Sequence, residues 1–335
     1  MNVLSIRDLR VALMADKKSV EIVRGVSLEV ESGDFYGLVG ESGCGKSVTA
    51  MSITRLPPTD EAVCSGQVLF KGQNILGLRG AALRAMRGHG GISYIFQDPM
   101  SALNPVLNIE VQLREALPRG LSRTESRTRM LELLELVDLK DGEKVLKAYP
   151  CEMSGGMAQR ICMAMAMASE PALLIADEPT TALDVVTQKR VLELLDGICR
   201  KTGTSVLLIT HNLGLVARYA KSVSVMYAGL VVESGPVRDV LSNPRHPYTS
   251  GLIAAVPALD SGRVETLATI PGRVPPPSEW GIGCAFAPRC ALAMPVCRES
   301  RPEARLIAGT HSASCFAVHQ ADGLGDTESH GQNSR

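Results

Sequence analysis

No stretch of this 335-residue chain contains the ~18 uncharged apolar residues that a membrane-spanning helix requires. The longest candidate, from Ile161 to Ala168, is far too short, so any work at a membrane needs a separate membrane partner. The start of the chain, Met1 to Arg10, sets Arg7, Asp8 and Arg10 among single apolar residues and lacks the apolar core of a signal peptide. A surplus of one charge sign is missing as well: Lys plus Arg and Asp plus Glu both number 35. A general nucleic-acid binder carries a basic excess, so that class is excluded and the charges read as a mixed, solvated surface.

Size and apolar content are present. The length exceeds one ordinary compact domain and suits a large domain with an appendage, and 45% hydrophobic residues supply a sizeable core. The nine cysteines are unevenly placed. Cys44, Cys64, Cys151, Cys162 and Cys199 are scattered, whereas Cys284, Cys290, Cys297 and Cys315 cluster near the end. In the reducing cytosol, the default without a secretory signal, a clustered set points to metal before disulfides.

The hydrophobic pattern predicts an α/β fold. Short alternating runs, Val3 to Ile6 and Val20 to Val23, read as a small N-terminal β-region. Phe35 to Val39 is an apolar strand feeding a glycine-rich turn, and a helix is expected from Lys46 to the stop at Pro57 and Pro58. Residues 103–149 read as a mostly helical insertion. Ser122-Arg-Thr-Glu125 matches a capping box, and Met130, Leu133, Leu134 and Val137 follow at helical spacing. Ala172 to Ala176 and Ser205 to Thr210 are apolar strands on either side of a helix around Val185 to Arg200, the pattern of a buried parallel sheet. Val223 to Tyr227 and Leu230 to Glu233 close the core. Pro275-Pro-Pro-Ser278 marks a linker, and the polar tail from Asp322 to Arg335 is expected to be disordered.

Gly40-Glu41-Ser42-Gly43-Cys44-Gly45-Lys46-Ser47 fits G-x-x-x-x-G-K-[ST] between a strand and a helix. Glycines let the backbone N–H groups wrap a phosphate, and the helix that follows adds the positive end of its dipole. Lys46 is expected on the outer phosphates and Ser47 on Mg²⁺. Leu173-Leu-Ile-Ala-Asp177-Glu178 ends an apolar strand in two acids. Such a pair alone could merely cap a loop. Beside a phosphate loop, Asp177 suits Mg²⁺ through water, and Glu178 suits a base that polarises the attacking water.

At Met153-Ser154-Gly155-Gly156-Met-Ala-Gln159-Arg160 the sequence resembles the signature motif of ATP-binding cassette ATPases. Ser154 to Gly156 would open a helix whose free N–H groups suit a second phosphate end, and Gln159 belongs to the same motif. The resemblance implies two facing domains that sandwich two ATP molecules. Gln97 in Tyr94-Ile-Phe-Gln-Asp-Pro99 resembles the loop glutamine that links Mg²⁺ to the transmembrane partner. Ala182-Leu183-Asp184 resembles the loop that reaches across the dimer, and His211 resembles the histidine that contacts the γ-phosphate.

A closer resemblance, over nearly the whole chain, is to the D-type ATP-binding subunits of dipeptide and oligopeptide permeases. It rests on Gln97-Asp-Pro-Met-Ser-Ala-Leu-Asn-Pro105, Tyr149-Pro-Cys-Glu-Met-Ser-Gly-Gly-Met157, His246-Pro-Tyr-Thr249, Ile270-Pro-Gly-Arg-Val-Pro275 and Gly283-Cys-Ala-Phe-Ala-Pro-Arg-Cys290. It implies a cassette domain over 1–245 with a helical subdomain at about 103–165, an extension over 246–320 and a tail over 321–335. It also implies a second, distinct ATPase subunit, two permease subunits, an extracytoplasmic binding protein, and a place on the cytoplasmic face of the bacterial inner membrane. Nickel, opine, glycoside or antimicrobial-peptide cargo stays open beside peptides. A soluble cassette ATPase and a non-catalytic nucleotide-binding module are the rival readings. The first needs coiled-coil insertions or a second cassette, and the intact Glu178 and His211 argue against the second.

Some positions depart from the family pattern. Leu13 stands where an aromatic residue often stacks on adenine, Met153 replaces Leu, Ala158 a basic residue and Cys151 a histidine. The spacing Cys284-x₅-Cys290-x₆-Cys297-x₁₇-Cys315 lacks the close pairs usual for structural zinc. It resembles the ending of some peptide-permease ATPases that bind a 4Fe-4S cluster. Zinc, and free or disulfide-paired thiols, remain alternatives.

Overall fold

The computed structural model describes residues 1–15, 18–56, 59, 61–181, 183–256 and 269–321. Among the described residues the strands are β1 (Asn2–Ala15), β2 (Lys18–Glu31), β3 (Phe35–Val39), β4 (Val63–Phe70), β5 (Gln73–Asn74), β6 (Ile92–Ile95), β7 (Leu173–Asp177), β8 (Ser205–Thr210), β9 (Ser222–Tyr227), β10 (Leu230–Pro236), β11 (Arg305–Ala308) and β12 (His311–Ala313). They form two sheets, one ordered β2-β1-β4-β5 and one of eight strands ordered β11-β12-β10-β9-β3-β8-β7-β6.

The first sheet is antiparallel, and β1 and β2 are 14 residues each, far longer than the short runs legible in the sequence. Bulges account for the difference. The register shifts between Ile6 and Leu9, where Asp8 adopts φ 47 opposite Gly66. A side chain at Gly66 would lie 2.3 Å from the Asp8 carbonyl oxygen, so the site demands glycine. Each bulge resets the alternation of apolar residues and cuts one long strand into apparent fragments.

In the second sheet β3, β6, β7, β8 and β9 run parallel. β3, β7 and β8 are buried throughout, as continuous apolar runs require. The helices Lys46–Ile53, Gly155–Met167 and Val185–Thr202 connect and cover these strands. Between β6 and β7 the chain forms the helices Pro99–Ala102, Ile109–Ala116, Arg123–Leu136 and Gly142–Lys147. The capping box is formed: Ser122 Oγ accepts from the Glu125 N–H, and the Glu125 carboxylate accepts from the Ser122 N–H. Met130, Leu133, Leu134 and Val137 are all buried in the core beneath it. Pro57, Pro58 and the tail from Asp322 lie outside the described residues. Among the described residues, no helix is long and apolar enough to cross a membrane.

The C-terminal region is bound to the core through strand pairing and one buried carboxylate. β12 pairs antiparallel with β10, and β11 pairs with β12. Glu233 on β10 accepts hydrogen bonds from the N–H groups of Arg245 and His246, and its Oε1 lies 2.7 Å from His311 Nε2. His246 in turn caps the helix Pro247–Ala254, its Nδ1 accepting from the Tyr248 N–H at 3.1 Å. Burial pushes the His246 pKa down to about 3.

The unfolded chain binds a proton at this histidine near pH 6.5 and the folded chain does not, so its contribution is complete above about pH 6.5 and is lost as pH falls. Between pH 7 and 5 the loss is about 2 kcal/mol. His246→Asn keeps a capping side chain without the titration. Its stability, measured by urea unfolding, is expected to decline less over this range than that of the unmodified chain.

Candidate functional site

β8 and β9 flank β3 on opposite sides, and a crevice opens beyond the carboxyl ends of such diverging parallel strands. The sequence-predicted residues lie at these ends: the glycine-rich loop after β3, Gln97 after β6, Asp177 and Glu178 at the end of β7, and His211 after β8. Gly40 packs so tightly that an added side chain would sit 2.2 Å from the Met226 carbonyl oxygen. Gly45, at φ 103, opens the helix Lys46–Ile53. Buried Lys46 turns back onto the loop and donates to the carbonyls of Gly40 (2.8 Å) and Glu41 (3.0 Å). The Cys44 thiol is buried beneath the loop.

Two acids divide the centre between them. Asp177 is buried and accepts from Ser47 Oγ at 3.1 Å and from the Tyr94 hydroxyl at 2.8 Å. Burial raises its pKa, and the bonds from Tyr94 and Ser47 offset this in part. Glu178 follows it at φ 45, a strained conformation for a non-glycine residue, with its N–H on the Ile209 carbonyl. Its carboxylate accepts from Thr181 Oγ1 (2.8 Å) and Gln97 Nε2 (3.4 Å), and Oε2 lies 3.3 Å from His211 Nδ1. Partial burial pushes the Glu178 pKa up, but the bonds from Thr181 and His211 and the charge of Lys46 outweigh it and hold the group below the usual value. An ionised carboxylate there can accept a proton from water.

The structure thus brings Ser47 into contact with Asp177, and Gln97 and His211 into contact with the adjacent Glu178. Ser154 caps its own helix, accepting from the Met157 N–H, and exposed Gly155 begins the first turn beside Gly156. Gln159, one turn on, is buried at 1% exposure with its amide nitrogen unpartnered, so it faces the interior rather than the helix mouth. Asp184 caps the helix Val185–Thr202 by accepting from the N–H groups of Val186 and Thr187. Ala182, beside it, lies outside the described residues. Half-buried Leu13 packs on the core beneath the antiparallel sheet.

Cys284, Cys290, Cys297 and Cys315 line one small cavity together with His246 and Phe286. Every thiol of the chain is free. Burial pushes Cys284 up to about 11 and raises Cys290 and Cys315. Among the described residues, no three His, Cys, Asp or Glu side chains are grouped tightly enough to hold a single metal ion.

Tyr94 and Thr181 went unflagged by the sequence. Tyr94 reaches Asp177 only through the parallel register that sets it beside Ile175, two residues before the acid, and no local pattern encodes that pairing.

The ABC transporter family matches residues 23–181, and the oligopeptide/dipeptide transporter C-terminal region matches residues 232–297. The probable peptide ABC transporter ATP-binding protein y4tR of Sinorhizobium fredii is 46% identical over 324 residues, 96% of each chain. The dipeptide transport ATP-binding protein DppD of Bacillus subtilis is 46% identical over 321 residues, 95% of each chain. The dimeric post-hydrolysis structure of the ATP-binding cassette MJ0796 bound to ADP and Pi superposes with a TM-score of 0.61 at 25% identity, covering 70% of this chain and 99% of that one.

Proposed function

The chain belongs to the ATP-binding cassette transporter family as an ATP-hydrolysing subunit, and from that premise we propose that it powers an importer of di- and oligopeptides. The observation that carries the reading is the match to the oligopeptide/dipeptide transporter C-terminal region over residues 232–297, joined to relatives that name peptides and dipeptides.

In this reading residues 40–47 cradle the phosphates, with Lys46 turning from its two carbonyl partners to the outer phosphates. Ser47 and Asp177, 3.1 Å apart, would hold the Mg²⁺ that neutralises phosphate charge, with Gln97 as a further ligand. Glu178 takes the proton from the attacking water. His211 steadies the charge that develops on the γ-phosphate, and Thr181 keeps the carboxylate ionised and aimed. Ser154, Gly155 and Gly156 serve the nucleotide of a facing subunit, with Gln159 buttressing their helix from inside and Asp184 near the facing surface. The dimeric state of the similar cassette supports this arrangement.

We divide the chain into a cassette over 1–245, with its helical subdomain at about 103–165, an extension over 246–320 and a tail over 321–335. The chain works peripherally on the cytoplasmic face of the inner membrane, and its partners are a distinct second ATPase, two transmembrane permeases and an extracytoplasmic binding protein. A groove lined by Arg87, His89, Tyr94, Phe96, Leu117 and Arg119 supports permease docking, because it lies along the strand that leads to Gln97. A strain lacking this chain should lose growth on a dipeptide that supplies a required amino acid, and regain it when the chain is restored. Unimpaired growth in the deletion would turn the search to other cargo.

Four cysteines line one cavity, and 4Fe-4S is the group proposed for them, with zinc as the alternative. The soft sulfur donors suit either group. When bound it would staple a region that has little apolar core of its own. Chain isolated without oxygen should contain iron and acid-labile sulfide, and Cys297→Ser should lose both. Zinc at one per chain would instead select the alternative.

A further inference from the structure

We propose that Arg289, in the C-terminal extension, is a positioning residue for the ATP site, acting on the phosphate loop through Glu41. The inference rests on the reading of residues 40–47 as that loop. The guanidinium of Arg289 makes a two-pronged pair with the Glu41 carboxylate, Nη1 to Oε2 at 2.7 Å and Nη2 to Oε1 at 3.1 Å. Its side chain is only 5% exposed. Nε bonds the Pro271 carbonyl at 2.7 Å, and the Nη groups make longer contacts of 3.4 Å to the Tyr227 hydroxyl and the Ile270 and Gly272 carbonyls, which together fix the fork in one orientation.

Glu41 is held at every polar group. Its N–H donates to the Tyr248 hydroxyl at 2.9 Å, its carbonyl accepts from Lys46 at 3.0 Å, and its carboxylate takes Arg289. Tyr248 is fully buried, with its ring against Tyr227 and Phe286. Two of the three anchors therefore come from beyond β10, outside the segment that carries the loop.

The third anchor is temporary. When Lys46 turns to the phosphates it leaves the Glu41 carbonyl with only the Cys44 N–H, a 3.4 Å contact inside the loop, and the loop must hold its shape without the lysine. Tyr248 and Arg289 remain. Moving Glu41 would strand a guanidinium that is almost out of water, and leaving such a group uncompensated is strongly unfavourable. The planar fork also sets the direction of the Glu41 side chain, which a lysine at the same place would not do. The extension thereby becomes part of the nucleotide site without touching the nucleotide.

The test is a double-mutant cycle on the full chain, read as binding of a fluorescent ATP analogue with Mg²⁺ and as the KM and kcat of the assembled complex. Arg289→Ala is expected to weaken binding and raise KM about tenfold with a smaller change in kcat, and Arg289→Lys to restore only part of the loss. Glu41→Gln leaves the extension's own contacts intact and should weaken binding in the same sense. If Arg289→Ala does not fold, Glu41→Gln carries the test. The double variant should be no worse than the more severe single one. Additive losses, or unchanged binding in Glu41→Gln, would overturn the proposal. Absence of binding by the unmodified chain would instead overturn the phosphate-loop reading beneath it.

Discussion

Glu178→Gln is expected to bind MgATP with near-native affinity and to hydrolyse it about 10²- to 10⁴-fold more slowly, the range for loss of a positioned general base. The amide keeps the shape and can still meet Thr181 and Gln97, which contact this side chain now, but it cannot take a proton from water. Single-turnover hydrolysis alongside equilibrium nucleotide binding separates the two effects. Native turnover would remove Glu178 from its role. The Glu178 pKa is held below the usual value, so the carboxylate stays charged through neutral pH. Protonation of Glu178 should therefore contribute an acid limb below the usual glutamate range, with activity falling as the pH drops through it.

Lys46→Ala is expected to act one step earlier and remove most nucleotide affinity. Lys46 is the buried cation of the loop and now satisfies two backbone carbonyls. A charge-assisted hydrogen bond to phosphate is worth about 1.5–3 kcal/mol, so affinity should fall roughly 10- to 150-fold, before any loss of transition-state stabilisation is added. The freed Gly40 and Glu41 carbonyls would also need new partners, so the thermal midpoint should be measured beside binding. A folded variant that bound ATP as tightly as the wild type would move the site elsewhere.

The parts of this machine that depend on short-range chemistry were readable from residues alone. The glycine-rich loop of residues 40–47 was expected between a strand and a helix, and it sits between β3 and Lys46–Ile53. The capping box at Ser122 and the apolar stripe from Met130 to Val137 follow helical spacing and were equally plain. Features that depend on register or on distant segments were not. The length of β1 and β2 was hidden by bulges at Asp8 and Gly66, which reset the alternation. The Tyr94–Asp177 bond needs two strands 83 positions apart in sequence to pair in register. Arg289 and Glu41 are 248 positions apart, and nothing in either neighbourhood points to the other. The cysteine cluster lies between these cases: its four members are close in sequence, but their shared cavity appears only when β12 pairs with β10.

ATP hydrolysis by the complex of this chain with its partner ATPase, permeases and binding protein, with and without short peptides, tests the central claim most directly. The account predicts turnover that peptides stimulate and that Glu178→Gln lowers at least about 100-fold in both conditions. Turnover that peptides leave unchanged, or that Glu178→Gln leaves near the native rate, would contradict it.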